Sequence, residues 1–230
     1  MIAAGLAALM LFGTASASSQ EAINSFFTYY YINPRPVQSL DFLEPLNATY
    51  KELKGKSLAD VAERGGIRSF YAEIFESSPD TVKEVERRLP NLPVDIRIFV
   101  NEAIARCNSP ECERVRGTPF QVKDEPLSPS LLDDYWAAFA ATGDRIYVEK
   151  VIAALSLLEI RGDVERLMVG GAAKWSLSSN AYQHSKVLRI CEDAELSAQE
   201  PTKTVLKQLI REAQAERATK HPPEPADGKI

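Results

Sequence analysis

His184 is one of two histidines in the chain, and it follows a run of hydroxyl and amide side chains: Ser176, Ser178, Ser179, Asn180, Tyr182 and Gln183. A histidine that titrates near neutrality beside several hydroxyls is the material of a hydrolase, with His184 as base and one serine as nucleophile. Ser176, Asn180 and an acid such as Asp193 complete that reading if they converge with His184 in one solvent-open cleft. The flanking residues argue for another role. A nucleophile elbow needs a Gly-x-Ser-x-Gly turn after a strand, and these serines have neither glycines nor a strand pattern around them. In the alternative, Ser178 or Ser179 caps a helix and His184 is a half-buried ring hydrogen-bonded to a neighbouring turn.

The cysteines offer a second chemistry. Cys107 and Cys112 are separated by Asn-Ser-Pro-Glu, a loop that can double back and join the two sulfurs. An oxidising compartment favours this disulfide and leaves Cys191 odd; in a reducing one Cys107, which sits on an apolar stripe, is a core thiol. The pair lacks the C-x-x-C spacing of a redox-active site. Two His and three Cys make an all-protein zinc site hard to assemble. Asp133 and Asp134, with Glu149, read as surface and helix-dipole charge. Gly65-Gly66 and Gly170-Gly171 lack the surrounding glycines and lysine of a phosphate loop, so no cofactor is expected. The aromatic run Phe26, Phe27, Tyr29, Tyr30 and Tyr31 offers stacking faces to a ligand. At helical spacing, though, Phe26, Phe27 and Tyr30 belong to a core stripe, and Tyr29 and Tyr31 cover the edge of a neighbouring helix.

The elements that position these residues read as helices throughout. Leu132, Tyr135, Trp136 and Phe139 fall at i, i+3, i+4 and i+7; Thr142-Gly143-Asp144 turns the chain; Val148, Val151, Ile152 and Leu155 carry the return stripe. The plan recurs upstream. Ile23, Phe26, Phe27 and Tyr30 lead to a turn at Asn33-Pro34-Arg35-Pro36 and a helix through Val37, Leu40 and Leu43, after which Pro45 and Gly55 loosen the chain. Ile67, Phe70, Tyr71 and Ile74 lead to Ser77-Ser78-Pro79-Asp80, where Ser78 is the N-cap and Pro79 the first helical residue, and then to Val82, Val85 and Leu89. Ile96, Phe99, Val100, Ala103 and Cys107 form a further stripe that stops at Asn108-Ser109-Pro110. Later helices run through Val164, Leu167 and Met168 up to an interruption at Gly170-Gly171, through His184, Val187, Leu188 and Cys191, and through Leu206, Leu209, Ile210 and Ala213. The fold expected is all-α, built of stacked antiparallel helical hairpins as an α-solenoid-like array or irregular helical bundle.

Composition and the N-terminus set the class. The 230 residues are 45% hydrophobic and 26% charged, which suits a folded protein with a sizeable core. A net charge of −5 without a basic cluster argues against nucleic acid as a partner. Ile2 to Phe12 is an uncharged apolar run followed by Ala15-Ser16-Ala17, which reads as a signal peptide over 1–17 cleaved before Ser18, although no basic residue precedes it. The run is about half the 20 residues a spanning helix needs, so no permanent membrane anchor is expected after cleavage. The remainder divides into helical subdomains at 18–115 and 130–218, a proline-rich connector at 116–129 and a disordered tail at 219–230. Asn47-Ala48-Thr49 is formally a glycosylation sequon, meaningful only in a host that glycosylates it.

The segments FFTYYYINPRP, FYAEIFESSPD, WAAFAATGDRIYV and AAKWSLSSNAYQH together resemble a family of uncharacterised bacterial proteins that are exported and wholly helical. The resemblance covers most of the mature chain and implies fold and export, with no reaction, cofactor or catalytic set attached. The expectation is a periplasmic or secreted module that binds or assembles with a protein partner. The competing expectation is a helical envelope enzyme centred on His184.

Overall fold

The computed structural model describes residues 17–61, 66–121, 125–160 and 162–220. Most of the expected signal segment, Gly65 and the tail beyond Lys220 lie outside them. All regular structure among the described residues is helical. Twelve α-helices are described: α1 (Ala17–Tyr29), α2 (Leu43–Lys54), α3 (Leu58–Val61), α4 (Gly66–Ser77), α5 (Pro79–Arg88), α6 (Val94–Arg106), α7 (Pro110–Arg116), α8 (Pro129–Thr142), α9 (Arg145–Ala153), α10 (Val164–Gln183), α11 (Ser185–Ser197) and α12 (Thr202–Lys220). Short 3₁₀ turns at Tyr30–Ile32, Gln38–Phe42, Leu89–Asn91 and Ala154–Glu159 join several of them. No described helix is long and apolar enough to cross a membrane.

Many boundaries follow from capping chemistry. Ser78, Ser109 and Ser128 each place a hydroxyl on the backbone N–H three residues on, with proline at the next position, where its missing N–H costs nothing. Asp144 and Asp163 cap α9 and α10 with carboxylates, accepting from Ile146 N and Arg166 N. Gly143, at φ 68°, closes α8 in the left-handed region.

The buried side chains form two clusters. The first is ring-rich: Phe27, Tyr30, Phe70, Tyr71, Phe75 and Phe99 pack with Leu43, Val82 and Val100. The second is mainly aliphatic, with Val148, Val151, Leu155, Ala173, Leu177, Val187, Leu206 and Leu209. Helix α8 lies between them. Its Ala137, Ala140 and Ala141 belong to the first cluster, whereas Leu132, Trp136 and Phe139 belong to the second. Packing is most extensive between α4 and α8, which are far apart in the chain, rather than from each hairpin to its sequence neighbour. Glycine at position 66 permits that approach, because a Cβ there would lie 2.7 Å from Ala137 Cβ and 2.8 Å from Asp133 O.

Several expectations are corrected. Pro45 does not loosen the chain; it sits in the first turn of α2, where the missing N–H has no intrahelical partner to lose. Gly170-Gly171 does not interrupt a helix, since α10 runs through both. Its Val164, Leu167 and Met168 face outward at 70%, 46% and 63% exposure instead of joining a core. Asn47 is buried within α2, where its Oδ1 accepts from Leu58 N at 2.9 Å, so in the folded chain its amide is engaged rather than offered as a sequon. The last helix continues through Thr219 and Lys220, beyond the expected start of the tail.

Candidate functional site

His184 is the single residue between α10 and α11, extended at φ −118° and ψ 113°. Its N–H donates to Asn180 O at 2.8 Å and its carbonyl accepts from Leu188 N at 3.1 Å, so its backbone closes one helix and opens the next. The ring is only 4% exposed. Nδ1 and the Tyr31 hydroxyl are 3.1 Å apart, and the rings of Tyr29, Tyr31 and Phe139 lie 5.2, 5.7 and 6.2 Å from it. The end of α1 and its 3₁₀ turn therefore meet the α10–α11 corner through the imidazole, and the aromatic pair Tyr29 and Tyr31 serves packing.

The other proposed catalytic groups point elsewhere. Ser176 Oγ donates to Ala173 O at 3.1 Å and Asn180 Nδ2 to Ser176 O at 2.9 Å, both within their own helix. Ser178 and Ser179 lie inside α10 rather than at a cap, and the helix they were expected to cap, which carries Val187, Leu188 and Cys191, begins at Ser185 with His184 as its N-cap and no side-chain capping bond. Asp193 is exposed and 3.5 Å from Arg145. A general base must reach the proton it abstracts. With His184 sealed among aromatic rings and these partners turned away, the arrangement holds a corner and gives hydrolysis no cleft.

Cys107 and Cys112 are joined in the structure, their Cα atoms 6.0 Å apart. The bond ties the end of α6 to α7, while Arg116 Nη1 donates to the Ile104 and Cys107 carbonyls that end α6. Cys191 is buried, and that burial pushes its thiol up to about 12, which leaves very little nucleophilic thiolate at neutral pH.

Two polar groups escape sequence reading because their partners are distant along the chain. Asp134 accepts from Ser69 Oγ at 2.7 Å and Arg106 Nη1 at 3.2 Å, clasping α4, α6 and α8 together; Asp133 is buried beside it. Neither is the surface charge expected, although Glu149 is, paired with Arg145 at 2.9 Å. Elsewhere Tyr147 Oη donates to Glu73 Oε1 at 2.7 Å across the α4–α9 seam. Burial raises the Glu73 carboxyl above its ordinary value, more than the tyrosine hydrogen bond lowers it. Lys150 lies 5.1 and 5.2 Å from the Tyr135 and Tyr147 ring centroids, a cation over two aromatic faces.

A surface groove of about 490 Å³ lies between the Gln38–Phe42 turn, the start of α2 and the end of α5. Two of its arginines are paired: Arg88 reaches Asp41 and Glu84 at 2.6 Å, and Arg87 shares Glu84. No group of three or more metal-ligating side chains occurs among the described residues.

The clearest unmet surface is on α10. Val164, Met168, Gly171, Trp175, Ser178 and Tyr182 fall within about 40° of one line along the helix at 3.6 residues per turn. Trp175 is 50% exposed, and the space beside Gly171 is open, with nothing within 4 Å of a Cβ built there. Gly170 is the opposite case: its Cβ would meet Leu158 N at 2.9 Å, so it faces inward and lets the Ala154–Glu159 turn lie close. The paired glycines thus serve two faces of one helix. Periodicity marked only Val164, Leu167 and Met168 at its start, as a core stripe ending at Gly170-Gly171; the continuous helix carries the exposed line on to Trp175 and Tyr182. No family model matches the chain, and no curated protein or solved structure matches it.

Proposed function

We propose that this protein is an exported, periplasmic or secreted helical module that binds a protein partner through the outer face of α10. The observation that carries this reading is the uncharged line from Val164 to Tyr182, which holds Met168 and Trp175 in water along about 27 Å of helix. A contiguous exposed apolar patch is a marker of an interaction site, and a half-exposed tryptophan with an open space beside it is the usual form of an interface anchor. The buried imidazole of His184 favours binding over catalysis. The resemblance to exported helical proteins and the apolar run at residues 2–12 support the compartment, and the Cys107–Cys112 pair fits an oxidising one.

The test compares the full chain with Trp175→Glu, each recovered from the exported fraction of cells that make it. Co-purifying proteins retained by the first and lost by the second, with the circular dichroism melt unchanged, support the reading. Identical retention by both sinks the α10 face, and a mature mass that still includes residues 1–17 sinks the cleaved signal.

A further inference from the structure

We infer that the groove between the Gln38–Phe42 turn, the start of α2 and the end of α5 binds a small zwitterion of the amino-acid or short-peptide class. It is built from elements around the ring-rich core and does not rest on the reading of α10. At about 490 Å³ it falls within the range of small-molecule pockets. Its lining divides by chemistry. Leu40, Pro45 and Leu92 supply apolar contact, Asp41 and Glu44 carry carboxylates, and Arg87, Arg88 and Asn91 bring N–H donors.

Both signs of charge keep bonding capacity in reserve. Glu84 accepts from Nε and Nη2 of Arg87 and from Nε of Arg88, and Asp41 Oδ1 accepts from Nη1 of Arg88. That leaves Arg87 Nη1, Arg88 Nη2 and the Asn91 amide with no hydrogen bond among the described residues. The Glu44 carboxylate, exposed in the first turn of α2, has no ion-pair partner among them either. The two sets stand on different elements: the carboxylates on the Gln38–Phe42 turn and α2, the donors on α5 and the 3₁₀ turn after it. A ligand with an ammonium at one end and a carboxylate at the other answers both at once, its ammonium on Glu44 and Asp41 and its carboxylate on the spare guanidinium N–H groups. A lone anion such as phosphate brings its charge against two carboxylates, and a lone amine leaves the arginine donors unused. The lining residues include no aromatic ring, so a nucleobase finds no face to stack on.

Isothermal titration of the full chain with leucine and with leucyl-leucine tests the site; binding of either supports it, and the tighter one names the source. The expected result is saturable binding that Glu44→Gln and Arg87→Gln each weaken about fivefold, the upper range for a partly exposed ion pair. N-acetyl-leucyl-leucine, which lacks the ammonium, is expected to bind the native chain and Glu44→Gln equally. Leucyl-leucinamide, which lacks the carboxylate, is expected to bind the native chain and Arg87→Gln equally. These pairings separate recognition from a structural role: the Glu44 charge also favours the α2 dipole, and losing that moves the melt without telling the two peptides apart. Absence of saturation by both probes at millimolar concentration overturns the inference, as does binding indifferent to both substitutions, or inorganic phosphate binding as tightly as leucyl-leucine. Trp175→Glu leaves the titration unchanged, so failure here and failure of the α10 reading are told apart.

Discussion

The core enclosed by α1, α4 and α6 is filled by rings, whereas the one around α10, α11 and α12 is filled by Val, Leu and Ala, and the difference tracks the helices that enclose each. The first core sits among helices of 12 or 13 residues, in a stretch of the chain broken by 3₁₀ turns. Edge-to-face rings fill it: Phe70 contacts Phe27 at 4.9 Å and Tyr30 at 5.1 Å, and Tyr71 contacts Phe99 at 5.6 Å and donates to Ser39 O. In the second core, helices of 20 and 19 residues run past one another and approach over Ala173, Ala181 and Ala213. Small inward residues let long helices close up, which leaves the larger apolar groups of α10 on its far side. An aromatic core consumes its apolar surface internally; the alanine-lined one leaves some available for contact.

The sharpest way to break this contrast is truncation. Phe70→Ala, at a ring 1% exposed and touching four others, is expected to cost about 3–5 kcal/mol in urea unfolding, against about 2–3 kcal/mol for Leu177→Ala, where smaller neighbours collapse more readily. Equal losses would erase the distinction. Next comes the covalent difference. Replacing Cys107 and Cys112 by serine, which opens a link spanning 5 residues, should lower stability by about 2 kcal/mol. Mass analysis of the unfolded, unreduced chain after alkylation should count one labelled thiol, Cys191; three would remove the staple from the first core.

The paired glycines sharpen the comparison within the second core. Gly170→Ala forces a Cβ against the Leu158 backbone and is expected to cost about 1–2 kcal/mol, whereas Gly171→Ala gains roughly 0.5–1 kcal/mol of helix propensity because its side is open. The smallest effect lies at the seam between the cores. Burial raises the folded-state pKa of Glu73 above its ordinary 4.5, so the folded protein holds this proton more tightly than the unfolded chain. The stability this contributes is fully present below pH 4.5 and is lost as pH rises through the folded value. Glu73→Gln should therefore be the more stable protein at neutral pH, with its advantage fading in acid; a difference independent of pH would contradict the cause assigned.

Much of the secondary structure was legible because it is local. Ser78 before Pro79, Ser128 before Pro129 and Gly143 before Asp144 state helix ends within four residues, and the 3.6 period marked the stripes of α4, α8 and α9. What escaped was relational. Nothing near Asp134 names Ser69 or Arg106, and nothing in Gly170-Gly171 says that one will touch a backbone and the other open space. The same limit governed the candidate site: the residues before His184 share sequence proximity, but helical phase turns Ser176 and Asn180 back on their own helix.

The position of α8 also has a consequence in time. A ribosome completes α1 to α7 before it reaches Ala137, Ala140 and Ala141, the residues that close one side of the ring-rich core. Until then, Phe70 and its neighbours lack their wall. The chain must span the 71 positions between Gly66 and Ala137 before that contact forms, a separation whose loop-closure entropy slows the step. A fragment ending before residue 129 should accordingly be a sticky, chaperone-dependent species and not a small stable domain, so the two halves of the sequence are born in order but mature together.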